Sequence, residues 1–327
     1  MIPITVLGGY LGAGKTTLLN SLLHQSSGRR IGVIVNDFGE LGVDAELIAD
    51  ALRDQGSDPS SGDVEPGPVP TIVNLANGCV CCTLGDDLRS ELEAMSRVEP
   101  ALDAIVVEAS GVADPATTAA WGTVAPFAPG GVVVLVAADT VSAKIRDRYV
   151  GGEVQRQIVG ADLVVLTKTD RCDDASRAAA RSLVGELTDA PVVTAVNGDL
   201  DVDLVLGPDA SLRADATPLP SSAATAAFDG HDVVYERWSL RSDDEVDLDA
   251  LRRFVTGLPP GVLRAKGVAT LPGAPHRRAI VNVVGSTVDV AERPSDGGLP
   301  GLRIEIISRA GAGANAVLDD LAADHLA

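Results

Sequence analysis

The run Gly9-Tyr10-Leu11-Gly12-Ala13-Gly14-Lys15-Thr16 constrains what this chain can fold into more than any other stretch of it. It follows a short apolar segment over 2–7 and precedes a segment of helical character over 16–24. The pattern G-x-x-x-x-G-K-[ST] between a strand and a helix is a phosphate cradle, because backbone N–H groups and the helix dipole converge on an anion there. Lys15 is expected to reach the β- and γ-phosphates and the Thr16 hydroxyl to bind Mg²⁺. Gly9, Gly12, Ala13, Gly14, Lys15, Thr16 and Thr17 make up the nucleotide-binding set this loop supplies.

The rest of the first two hundred residues follows the same logic. Apolar strands are expected at Ile31–Val35 and over 72–75, 104–107, 132–136, 163–166 and 192–195, with helices at Leu84–Met95 and over 140–158 and 174–188. Apolar strands alternating with helices predict an α/β fold, a parallel sheet covered by helices on both faces. Residues 54–70 are rich in Pro, Gly, Ser and Asp and predict a flexible insertion. Residues 207–230 read as a linker between a domain of 1–206 and a second of 231–327. In the second domain one helix at Leu248–Thr256 lies among strands over 233–240, 262–271, 278–284, 286–291 and 302–307, and an amphipathic helix over 313–326 ends the chain. This pattern predicts a small α+β domain.

Composition narrows the partners. A net charge of −20 provides no positive field for nucleic acid or anionic lipid, so neither nucleic acid nor membrane is an expected partner. No apolar run has the length of a membrane span, and the chain enters its first strand without a basic leader, which predicts a cytoplasmic protein. In that compartment cysteines are expected to bind metal or react rather than to pair. Only four lysines stand against 22 arginines, and Lys15, Lys168 and Lys266 fall in recognisable local patterns. Lys144 has no such context and is expected at the surface.

Further candidates sit where strands end. Asn36-Asp37-Phe38-Gly39-Glu40 follows the second strand, placing the Asp37 and Glu40 carboxylates where a loop senses Mg²⁺ or the γ-phosphate. Glu108 ends another strand and is expected to orient the metal's water shell or the attacking water, with the Gly111 N–H offered to the γ-phosphate. Lys15, Asp37 and Glu108 are the expected catalytic residues. In Thr167-Lys168-Thr169-Asp170 the Asp170 carboxylate can accept from guanine N1–H and the exocyclic amine together, a contact adenine does not offer, while Lys168 lies along the base. The paired Asp170 contact predicts GTP as the nucleotide.

Three of the four cysteines, Cys79, Cys81 and Cys82, fall within four residues. Adjacent thiolates are soft ligands suited to Zn²⁺, Co²⁺ or Cu⁺, and three of them leave a fourth position for Glu40, Asp37, a histidine, water or a delivery partner. An open position suits exchange, whereas structural zinc uses four closed ligands. Cys172 and the four histidines join no cluster.

With these residues in hand, the chain resembles the CobW family of phosphate-loop GTPases, associated with metal delivery and cobalamin metabolism. The segments that carry the resemblance are GGYLGAGKTTLLN, VNDFGELGVD, NGCVCC, VVEASGVADP, QIVGADLVVLTKTD and VLRAKG, in the family's order. The resemblance implies Mg²⁺-dependent GTP hydrolysis with zinc or cobalt held at Cys79, Cys81 and Cys82 beside the nucleotide. It also implies that the C-terminal domain, with Arg264 and Lys266, shapes partner or metal-transfer contacts, the partner being a client metalloprotein. Thr167 stands where the family usually has Asn, which leaves the choice of GTP over ATP open, and Asp37 stands where Glu is common. No histidine-rich stretch is present, so bulk metal storage is not expected. The leading expectation is a GTPase metallochaperone; the alternatives are a nucleotide-gated regulator with structural zinc and, disfavoured by the guanine-type motif, a kinase. Assembly into a homo-oligomer is left open by the sequence.

Overall fold

The computed structural model describes residues 1–25, 29–35, 71–74, 84–207, 235–274, 276–294, 301–309 and 314–326. The chain divides into two units, residues 1–202 and 203–327. The segment 54–70 and all of 208–230 lie outside the described residues.

Unit 1 is built on strands β1 (Ile2–Gly8), β2 (Ile31–Val35), β3 (Thr71–Asn74), β4 (Ala104–Glu108), β5 (Phe127–Ala137), β6 (Leu163–Thr167) and β7 (Val192–Thr194). They form one sheet in the order β3-β2-β4-β1-β5-β6-β7, and every pairing is parallel. The strand residues of β2, β4 and β6 are buried throughout, because helices cover both faces and leave no solvent side for polar residues. The described helices are α1 (Lys15–Gln25), α2 (Leu84–Met95), α3 (Pro115–Ala119), α4 (Val141–Arg146), α5 (Gly151–Val159), α6 (Asp174–Gly185) and α7 (Val202–Leu206), the last lying at the division between the units. Two apolar clusters hold the layers together. One joins Ile4, Ile34, Leu92, Met95 and Ile105, and the other joins Val134, Val141, Ile158, Val164 and Val184.

Three features depart from the sequence expectation, each for a local reason. β5 begins at Phe127, well before the expected 132, although Pro129, Gly130 and Gly131 are poor strand formers. Its register with β1 shifts between Ile4 and Thr5, and a Cβ on Gly130 would sit 2.5 Å from the Ile4 backbone. A bulge with glycine at the close approach explains why the strand continues. The expected helix over 140–158 is broken into α4 and α5, because Asp147 Oδ1 accepts from the N–H groups of Tyr149 at 2.7 Å and Val150 at 3.2 Å. That side-chain turn competes with the helical ladder. Helix α3 was not expected, yet Asp114 caps it by accepting from Ala116 N–H at 2.9 Å and Pro115 stands at its start.

Unit 2 is an antiparallel sheet of strands β8 (Tyr235–Ser242), β9 (Val262–Thr270), β10 (Arg277–Val284), β11 (Thr287–Pro294) and β12 (Leu302–Arg309), in the order β11-β10-β9-β12-β8. Helices α8 (Leu248–Thr256) and α9 (Ala314–Leu326) pack on the face that carries Ala265, Val281, Ile304 and Ile306. Trp238 stacks on Phe254 with ring centres 6.1 Å apart, and its indole N–H donates to Asp319 at 2.8 Å. Strand alternation places Arg264 on the opposite side from Ala265. Arg264 is fully buried and donates to the Val205 carbonyl at 2.9 Å, while Arg237 pairs with Asp203. Arg264 therefore ties residues 203–207 to this sheet, and its side chain presents no surface of its own.

A phosphate-binding loop and the strand ends around it

The candidate site is built where β1, β4 and β6 end on the same edge of the sheet, as expected of a doubly covered parallel sheet. β1 gives way to a loop over 9–14 and then to α1. The loop turns through left-handed backbone at Gly9, Gly12 and Gly14, with φ of 131°, 76° and 97°. Only glycine adopts these angles without strain, and at Gly9 a Cβ would also meet the Leu135 carbonyl oxygen at 2.5 Å.

Several groups hold the loop's carbonyls. Lys15 Nζ donates to Gly9 O at 2.9 Å, and Ala13 N–H donates to Tyr10 O at 2.9 Å. The Thr167 hydroxyl, at the end of β6, donates to Ala13 O at 2.7 Å. Lys144 Nζ donates to Leu11 O at 2.9 Å and lies 4.9 Å from the Tyr10 ring centre. A trans peptide carries its carbonyl and the following N–H on opposite sides. A carbonyl held from one side thus turns the next N–H to the other, which is what an anion cradle needs.

Glu108 ends β4 in register with Leu7 of β1, and the Ala109 N–H continues the ladder by donating to Leu7 O at 2.9 Å. Its side chain is only 5% exposed, and the Thr16 hydroxyl donates to Glu108 Oε1 at 3.5 Å. Thr16 and Glu108, separate in sequence, are therefore brought together as hard oxygen donors beside the loop. Gly111 lies against the loop as well, since a Cβ there would be 2.7 Å from Leu11 Cδ2. Lys168 adopts φ 55° at the start of a short 3-10 turn, Thr169–Arg171, which leaves Asp170 exposed at the sheet edge. Cys172 packs against the neighbouring core and its thiol donates to Lys168 O at 3.7 Å, so it braces this turn.

The expected residues Gly9, Gly12, Ala13, Gly14, Lys15, Thr16, Glu108 and Gly111 are thus gathered at one edge, with Thr17 on the first turn of α1 and Lys168 and Asp170 on the turn after β6. Asp37, Glu40, Cys79, Cys81 and Cys82 lie outside the described residues. Among the described residues no group of three His, Cys, Asp or Glu is placed to hold a metal, and no helix is long and apolar enough to cross a membrane.

Two contributors were missed from sequence. Lys144, expected at the surface, is half-buried against the loop. Burial, with Lys168 and Lys15 nearby, pushes its ammonium below the ordinary lysine range. Thr167, which stands where the family usually has Asn, ends β6 beside the phosphate loop. Its hydroxyl is buried on Ala13 O, so Thr167→Val should leave that carbonyl unpaired and weaken GDP and GTP alike by about tenfold in a calorimetric titration. Unchanged affinity would show that the loop holds its shape without it.

A seven-stranded parallel sheet with a glycine loop and Lys15-Thr16 at the end of its first strand defines a phosphate-loop nucleotide-binding protein. Residues 3–193 match the family model described as the CobW/HypB/UreG nucleotide-binding domain, and residues 235–323 match the cobalamin synthesis protein cobW C-terminal domain. The chain belongs to the CobW/HypB/UreG family. A protein of Sinorhizobium sp named zinc chaperone CobW is 30% identical over 328 residues, covering 88% of this chain and 86% of that protein. The zinc chaperone YjiA of Escherichia coli (strain K12) is 30% identical over 293 residues, covering 84% of each. A Dictyostelium discoideum protein named zinc-regulated GTPase metalloprotein activator 1 is 39% identical over 114 residues, covering 35% of this chain and 23% of that one.

Proposed function

We propose that this protein is a GTPase that carries one zinc ion on Cys79, Cys81 and Cys82 and couples its nucleotide state to the binding and release of that ion. The observation that carries the reading is the joining, in one chain of this family, of a phosphate loop braced against Glu108 with a three-thiolate cluster. Asp170 supplies the guanine contact, and Lys168 supports the base from its left-handed turn.

Thr16 and Glu108 fit Mg²⁺, because both offer oxygen and their oxygens already approach within 3.5 Å. When bound there, Mg²⁺ neutralises the charge on the phosphates. The chain's own part is positional. Lys15 meets the phosphate charge, the glycine loop donates its N–H groups, and Glu108 orients the attacking water or its metal-bound neighbours. Asp37, which follows β2 in the sequence, takes part in the same step.

Zinc is the cargo. Thiolates suit both zinc and cobalt, and the relatives' names favour zinc. Glu40 is assigned the fourth, exchangeable position. The recipient is a client metalloprotein, and the setting is the cytoplasm, where thiolates stay reduced.

Cys81→Ser separates a carried ion from a structural one. The variant should lose zinc, measured by competition with a chromophoric chelator, while keeping its circular dichroism spectrum and its GTP hydrolysis. Unfolding on the same substitution would instead make the cluster a structural zinc site in a nucleotide-gated regulator.

A further inference from the structure

Helices α4 and α5 carry two side chains that hold two loops distant from each other in sequence. From α4, the Lys144 ammonium donates to Leu11 O at 2.9 Å with the Tyr10 ring 4.9 Å away. From α5, the buried Gln157 amide donates to Gly111 O at 3.2 Å and to Ala113 O at 3.0 Å. Glu153, one turn earlier on α5, accepts from the same amide at 3.4 Å and fixes its orientation. Tyr10, Ala13, Lys144, Val154, Gln157 and Ile158 line one cavity, so the two grips flank a shared space.

We infer that the α4–α5 hairpin is a clamp that positions both nucleotide-binding loops, Lys144 setting the phosphate loop and Gln157 the loop that follows Glu108. The inference rests on the GTPase reading above. Its physical basis is the trans peptide, whose carbonyl and following N–H point to opposite sides. Lys144 on Leu11 O turns the Gly12 N–H away from the hairpin. Gln157 on Gly111 O does the same for the Val112 N–H. Both are positioning residues: each acts through a peptide group and neither is assigned a contact with nucleotide. A charged donor on a carbonyl makes a stronger bond than a neutral one, and the aromatic face adds a second attraction to the same ammonium. The loop contacts also join the two grips, because Gly111 lies directly against Leu11.

The two grips have separable consequences. The phosphate loop serves phosphates common to GDP and GTP, whereas the loop after Glu108 serves hydrolysis. Lys144→Met should therefore weaken GDP and GTP equally, by about tenfold, with an unchanged rate at saturating GTP. Gln157→Met should lower the saturated single-turnover rate by about tenfold with GDP affinity unchanged. Lys144→Arg, which keeps a cation on the carbonyl and ring, should recover most of the lost affinity. The melting temperature without nucleotide should stay near the wild-type value for Lys144→Met and fall modestly for Gln157→Met, whose buried amide leaves two carbonyls unpaired. Variants indistinguishable from the wild type would overturn the clamp, as would equal losses on every measure together with a lowered melting temperature. A wild-type protein that binds neither nucleotide would overturn the GTPase reading, and the clamp with it; a wild type that binds beside variants that match it overturns the clamp alone.

Discussion

Glu108→Gln should leave GTP bound and lower its hydrolysis by about 10²- to 10³-fold. The substitution keeps the shape of a side chain that is 5% exposed and packed at the end of β4. It also keeps an oxygen for the Thr16 hydroxyl, which now donates to Glu108 Oε1. What it removes is the negative charge and the capacity to accept a proton. The charge also helps Thr16 to hold Mg²⁺, so its loss costs some affinity. The largest effect falls where water attacks and charge moves, so the rate should drop far more than binding. Single-turnover hydrolysis with the protein in excess measures the chemical step, and a fluorescent nucleotide measures affinity. A rate near the wild-type value would remove Glu108 from the catalytic account, whatever its effect on binding.

Gly9→Val should abolish nucleotide binding in practice, with a loss on the order of 10²-fold or more, and should lower the melting temperature of unit 1. Two costs fall on the same residue. The backbone there has φ of 131°, which a β-branched residue adopts only under strain. A Cβ would also stand 2.5 Å from the Leu135 carbonyl oxygen, on a buried strand that cannot retreat. The loop must shift, and with it the Gly9 carbonyl that holds Lys15 Nζ at 2.9 Å. Lys15 would then lose the contact that aims it, so the anion cradle and its cation fail together. Calorimetric titration with GDP and a thermal melt check both halves. Wild-type affinity in this variant would mean that the loop is remade on binding and that its unliganded shape is irrelevant.

The fold was legible wherever burial on both faces wrote an unbroken apolar run. IGVIV, AIVV and LVVL read as strands because nothing in a doubly covered sheet requires a polar residue. The reading stopped at Pro129-Gly130-Gly131, where a bulge against Ile4 keeps poor strand formers in the ladder. It also ran through Asp147, whose side chain ends α4 by capturing two N–H groups.

The site divides along a similar line. The glycine loop, Lys15 and Thr16 form a local pattern, set by what a tight turn around an anion demands. Thr167 and Lys144 do their work on carbonyls 154 and 133 residues away, and no local spacing records such a contact. For Arg264 the resemblance implies a part in partner or metal-transfer contacts, whereas the sheet buries its side chain against residues 203–207. Charge in a sequence does not say which side of a strand is covered.

The central claim is that nucleotide and zinc are linked through one protein. Zinc affinity measured by chelator competition, once with GDP and once with a non-hydrolysable GTP analogue, tests it directly. The account predicts two different affinities, with a ratio of roughly 5- to 150-fold, and a change of the same factor, on adding zinc, in the ratio of the protein's affinities for the analogue and for GDP. Identical zinc affinities in the two nucleotide states would contradict it.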